Sequence, residues 1–479
     1  MLRMMTFASV APLPVREIPG SYGLPVVGPL VDRFDYNVTE GADNFFKTRI
    51  EKYKSTVLRV NMPPGPPIVS DPCVIMLLDA KSFPTLFDLT KVDKRNVLTG
   101  AYMPSTDFTG GYRTTVYLDP SEEKHGKGKK FCFEVLKLSR TRIFPEFGRA
   151  FDEAFNQIDK EFDSDGKGSF TAQADDLIFN FVLRALVGSD PVAPGPASLG
   201  TNGPTYVKAW LAPQLAPIAS AGGILPRVLE EFTIHSIELP FALVSGFYQK
   251  LYDFVWTHGS ALLDIAEKEF GLQREEACND LLFNIGFNAF GGMLIFFPAI
   301  VQYIGKAGAD LHRDLAEEVR GAVSTHGGLN MGALESMALV RSAVYEVLRM
   351  DPPVPLQYGR AKRDFLVESH DARYEVKEGE LLGGYQPLAT KDPKVFDNAE
   401  EFNPRRFLGE EGEKMVQYVL WSNGRETEET TVDNKQCAGK DVVVMVARLL
   451  VAHLFLRYDS FAVDEESSSA IFTSLSKAS

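Results

Sequence analysis

The chain has 479 residues, 45% hydrophobic and 24% charged, a globular usage ample for a large buried core. A net charge of −14 argues against the basic footprint of a nucleic-acid binder and repels anionic membrane surfaces overall, leaving room only for a local peripheral contact. Cys73, Cys132, Cys278 and Cys437 are widely spaced with no C-x-x-C pair, which argues against a disulfide framework or zinc site and for a reducing, intracellular compartment.

The first residues, "MLRMMTFASVAPLP", are too short and irregular for a secretory signal or a long transit peptide, so cytosol and chloroplast both stay open. Residues 1–30 are punctuated by proline and glycine and read as extended. "STVLRVNM" (55–62) and "PPIVSD" (66–71) read as short strands, and "PCVIMLLDA" as helix. This gives a β-containing N-terminal part over about 15–75, then a helical core over about 76–350 with a loop near 189–205.

Residues 281–300 carry no charge, yet Asn284, Asn288, Gly291, Gly292 and Pro298 interrupt them and soluble-type helix flanks them. A central helix buried on all sides is the better reading than a transmembrane segment. Period-two alternation over 364–390 predicts a small antiparallel sheet, and an apolar helix over 438–456 closes the core. The expectation is a mainly α chain with a small β portion, one domain over 1–479, and a cysteine-bearing loop at 421–441.

Three motifs in order carry the chemistry. Glu346 and Arg349 in "YEVLR" share one helix face as an ion pair, and Arg406 in "EFNPRRF" is placed to complete a buried network that pins the following meander. Cys437 in "NKQCAGKD" then stands at the mouth of an apolar helix, where dipole and loop N–H groups favour a thiolate. Each motif alone is weak; E-x-x-R, P-x-R-F and C-x-G in this order resemble the cytochrome P450 superfamily. That resemblance implies the helical-prism fold and haem b with Cys437 as proximal iron ligand.

The chain departs from the common pattern of that superfamily. Several residues, "RETEETTVDNKQ", separate "WSNG" from Cys437, and Lys435 stands where an arginine is usual. "GFNAFGG" lacks the acid–alcohol pair that delivers protons to bound oxygen in monooxygenases. A substrate that already contains an O–O bond would not need that relay. Together with "IPGSYGLPVVGP" (18–29), "YMPSTDFTGGYR" (102–113) and "GYQPLATKDPKVFD" (384–397), these departures resemble the CYP74 family of plant cytochrome P450 enzymes over nearly the whole chain.

The resemblance implies an enzyme that dehydrates fatty-acid hydroperoxides to allene oxides by haem-thiolate homolysis of the O–O bond, without O2, NADPH or a reductase. It assigns Asn288 to orienting the hydroperoxide, and Leu98, Val116 and Phe290 to steering the substrate. Lys129, His125 and Lys435 are its candidate partners for the haem propionates, with Lys129 preferred, while Lys127 and Lys130 read as solvated. The alternative within the family is a hydroperoxide lyase, which gives short aldehydes through a hemiacetal. Leu98, Val116 and "FNAFGG" lean toward the lyase, and "CAGKD", "LDPSE" and the flanking similarity toward the synthase. An ordinary monooxygenase would need the missing acid–alcohol pair; a non-catalytic haem or lipid-binding protein would keep Cys437 without needing Asn288.

Overall fold

A computed structural model describes residues 12–219 and 225–478. Helices dominate, and the longest is Glu123–Asp165. The five-stranded sheet runs in the order Val57–Asn61, Cys73–Leu77, Leu381–Tyr385, Leu356–Ala361, Val92–Asp93. A smaller sheet joins Val15–Arg16, Arg373–Val376 and Phe365–Glu368, and a third joins Gly168–Ser169 to the hairpin Tyr458–Val463/Ile471–Lys477.

Three expectations are corrected here. "PCVIMLLDA" is not a helix: Cys73–Leu77 is a strand, antiparallel to Val57–Asn61 and parallel to Leu381–Tyr385. Flanked on both sides and buried from Val74 to Leu77, it reads as a continuous apolar run because neither face meets water. "PPIVSD" forms no strand. The period-two stretch 364–390 divides between two sheets, since Leu381–Tyr385 leaves its neighbours for the larger one. In addition, helix Val27–Phe34 begins inside the stretch expected to be extended.

The uncharged stretch lies inside a 33-residue helix, Arg274–Lys306. By length and composition it could cross a membrane, but half of its most apolar window is buried within the protein. Phe283, Ile285, Phe290, Phe296, Phe297, Ile300 and Val301 all join the main core. Over Asn284–Gly291 the helix widens to π-helical pairing, a form found mostly where a functional side chain must be presented. The last core helix is Lys440–Arg457, beginning just after the cysteine.

Candidate functional site

Cys437 precedes that helix in a loop fixed at its base, where its N–H donates to the Ser422 carbonyl at 3.1 Å. Burial pushes its thiol pKa up, while the Gly439 N–H and the ammonium groups of Lys129 and Lys440 pull it down. Burial outweighs these donors, so the thiol stays protonated unless a bound cation compensates its charge.

The residues between "WSNG" and the cysteine pack back on the core. Glu426 accepts from Tyr345 Oη at 2.9 Å and from Trp421 Nε1. Asn434 presents its carbonyl and side-chain oxygens to Lys129 Nζ, at 2.6 and 3.0 Å. Gln436 Nε2 donates to the Arg425 carbonyl at 2.6 Å, closing the loop.

Glu346, Arg349 and Arg406 come together behind this loop. Arg349 donates to both Glu346 oxygens at 2.8 Å, and Arg406 Nε reaches the same carboxylate at 3.0 Å. Glu346 and Arg349 are fully buried. The remaining guanidinium N–H groups hold the carbonyls of Asp397, Asn398, Ala399 and Glu401, so the network staples the meander between Tyr385 and the cysteine loop. Because removal of one partner strands a buried charge, Arg349→Leu is expected to cost about 3–5 kcal/mol. Urea unfolding of the haem-loaded protein checks this; a change under about 1 kcal/mol, the scale of an exposed pair, would contradict it.

Cys437 opens onto a cavity of about 560 Å³. The central helix contributes Asn284, Phe287, Asn288, Gly291 and Gly292 to its wall. Gly292 has no atom within 4 Å of where a Cβ would stand, so the wall is open there. Asn288 is exposed on the central helix, and it lines this cavity. Its Nδ2 donates to Asn284 Oδ1 at 2.7 Å, and it has no other partner among the described residues. Leu98 and Val116 also line the cavity.

Phe290 does not, which corrects the sequence expectation. It is buried and meets Phe179 edge-on, with centroids 5.8 Å apart. Residues two apart do not share a helix face, so Phe290 points away from Asn288 while Phe287 lines the cavity.

The expected cations gather on the wall next to the cysteine. Lys435 Nζ donates to the carbonyls of Thr115 and Leu118 at 2.8 and 2.7 Å. Burial and the neighbouring Lys129 push its pKa down to about 7. Burial pushes Lys129 down to about 8. Burial, with Lys435 and Lys129 nearby, holds His125 at about 3, so its ring is neutral, and its Nδ1 is buried without a partner. Lys127 is instead paired with Glu123 at 2.7 Å on the surface.

Sequence reading missed the group that holds this wall in place. Asp280, buried on the central helix, accepts from Thr115 N at 2.8 Å and also from Thr115 Oγ1. Burial raises its pKa. Gly128 is required opposite, since a Cβ there would strike the Thr115 hydroxyl and crowd Asp280. The only sequence signal was an acid at the edge of the apolar stretch of the helix; its partner lies 165 positions away.

A thiol on one wall, two under-neutralised ammonium groups and an orphaned imidazole nitrogen beside it, and apolar surface elsewhere match the donor set for a thiolate-ligated iron porphyrin with two carboxylates. Cys437 would ligate the iron, and Lys129, Lys435 and His125 would face the carboxylates.

A family model described as Cytochrome P450 matches residues 309–475. The chain is 54% identical over 472 residues to "Allene oxide synthase, chloroplastic" of Arabidopsis thaliana, covering 98% of this chain and 90% of that one. It is 53% identical over 455 residues to "Allene oxide synthase 1, chloroplastic" of Solanum lycopersicum, covering 95% and 84%. "Allene oxide synthase 1, chloroplastic" of Oryza sativa subsp. japonica is 50% identical over 472 residues, covering 97% and 91%.

Proposed function

The chain belongs to the allene oxide synthases, a branch of the cytochrome P450 superfamily, and on that footing we propose that Asn288 presents the hydroperoxide of its substrate inside the cavity. The reaction is dehydration of polyunsaturated fatty-acid hydroperoxides to allene oxides in oxylipin biosynthesis. Haem, when bound, supplies the homolysis of the O–O bond, with Cys437 as its thiolate ligand.

The observation that carries the proposal for Asn288 is its exposure on the cavity wall, with one amide N–H fixed by Asn284. The second N–H is left to donate to a hydroperoxide oxygen, and the carbonyl oxygen to accept from the terminal O–H. Held in this way, the O–OH group arrives oriented, which lowers the entropic part of the barrier. The stretch from Asn284 to Gly292 contains no acid or hydroxyl, so it offers no proton relay for activating O2. Leu98, Val116 and Phe287 face the acyl chain around the reacting carbons and keep water from the product epoxide. Leu98 and Val116 had leaned toward the aldehyde-forming lyase; the similarity over nearly the full chain falls on the synthase side. The chloroplast is the compartment this reading favours, as the names of the tomato, Arabidopsis and rice relatives state for those proteins.

The haem-loaded protein should consume linolenic acid 13-hydroperoxide to completion anaerobically, with no nicotinamide cofactor and no partner protein. A strict requirement for NADPH or O2 would return the chain to the monooxygenases.

A further inference from the structure

The walls of the cavity indicate which end of the substrate the protein does not recognise. Among the described residues that line it there is no arginine, aspartate or glutamate, and the only cationic types are His125, Lys129 and Lys435. All three stand beside the cysteine loop, and none is free for a distant head group. Lys129 is held by Asn434, Lys435 by two backbone carbonyls, and His125 is neutral. These are also the groups matched to the haem carboxylates.

The rest of the wall is built from Met62 and Pro63, from Leu211, Leu215 and Ile218, from Ile295, and from Pro353, Val354, Pro355 and Leu356. The other polar groups on the wall are neutral and offer no counter-ion, and several of them are engaged within the protein. Thr99 Oγ1 donates to the Tyr102 carbonyl, Gln386 Nε2 donates to the Leu420 carbonyl at 2.8 Å, and Asn284 accepts from Asn288. A carboxylate drawn into such surroundings would lose its hydration and gain no counter-ion, an arrangement proteins avoid.

We infer that this cavity selects the acyl chain and its O–OH group but not a free carboxylate, so that esterified fatty-acyl hydroperoxides are substrates alongside the free acids. The inference rests on the hydroperoxide dehydration stated above. The chemistry balances in the same way: the acyl hydroperoxide loses one water, its O–O bond breaks, the epoxide closes, and the ester bond is untouched. A carboxylate that gains no contact leaves no penalty when it is masked.

The test compares kcat/KM of the haem-loaded protein for linolenic acid 13-hydroperoxide and for its methyl ester, dispersed in the same non-ionic detergent, with the products of both identified. The ratio is expected to fall within about tenfold, because a charge-assisted contact to the head group would be worth tenfold or more. The ester should give the methyl ester of the same allene oxide hydrolysis product. Consumption of the free acid with an ester penalty beyond about tenfold would overturn the inference and call for a cation at the head group. If neither compound is consumed, hydroperoxide dehydration itself is wrong, and the inference falls with it.

Discussion

Cys437→Ser is expected to lose the thiolate-type carbon monoxide spectrum and nearly all turnover. The Ser422 carbonyl fixes the backbone N–H of residue 437, and that bond does not involve the side chain, so the loop should keep its shape in the variant. What changes is the donor atom. Burial raises the Cys437 thiol pKa, partly offset by the Gly439 N–H and the ammonium groups of Lys129 and Lys440; a serine hydroxyl is a far weaker acid still and is not ionised by the same surroundings. The strong anionic donation that distinguishes thiolate-ligated haem is then absent. Haem that still binds through Lys129, Lys435 and the apolar walls should show an altered spectrum. An unchanged thiolate-type spectrum in Cys437→Ser would remove Cys437 from the centre of the site.

Asn288→Gln is expected to lower turnover by about 10²-fold with haem content unchanged. Glutamine keeps the amide but carries it one methylene further. Displacement of a positioning group by roughly 1 Å is enough to cost that factor when orientation is what the group contributes. It also breaks the 2.7 Å bond by which Asn284 aims the amide, so the side chain gains rotational freedom as well as reach. Neither asparagine touches the cysteine loop or the cations beside it, so haem retention should not move. Turnover of Asn288→Gln within a few-fold of the parent would place the orienting contact elsewhere on the wall.

What could be read from the sequence was what sequence order preserves. Cys437, the Glu346–Arg349 pair and Arg406 lie in fixed order along the chain, and the four-residue step from Asn284 to Asn288 is local to one helix. Phe290 was misplaced because a motif match names residues without saying which face they occupy; two positions from Asn288, it turns to Phe179. Cys73–Leu77 was misread because a short, buried apolar run looks the same in strand and helix until its neighbours are known. The partners of Lys435 and Thr115 could not be read at all. Lys435 meets carbonyls 320 and 317 positions away, and any residue type could have supplied them. Asp280 carried no motif, and its value comes only from the loop that folds over it.

Product analysis tests the central claim most directly. The haem-loaded protein, given linolenic acid 13-hydroperoxide alone, should yield the α-ketol and racemic cyclopentenone that form when an allene oxide meets water, with the hydroperoxide consumed and no short-chain aldehyde. Short aldehydes as the main products would show that this cavity cleaves the chain and does not dehydrate it, and would contradict the account.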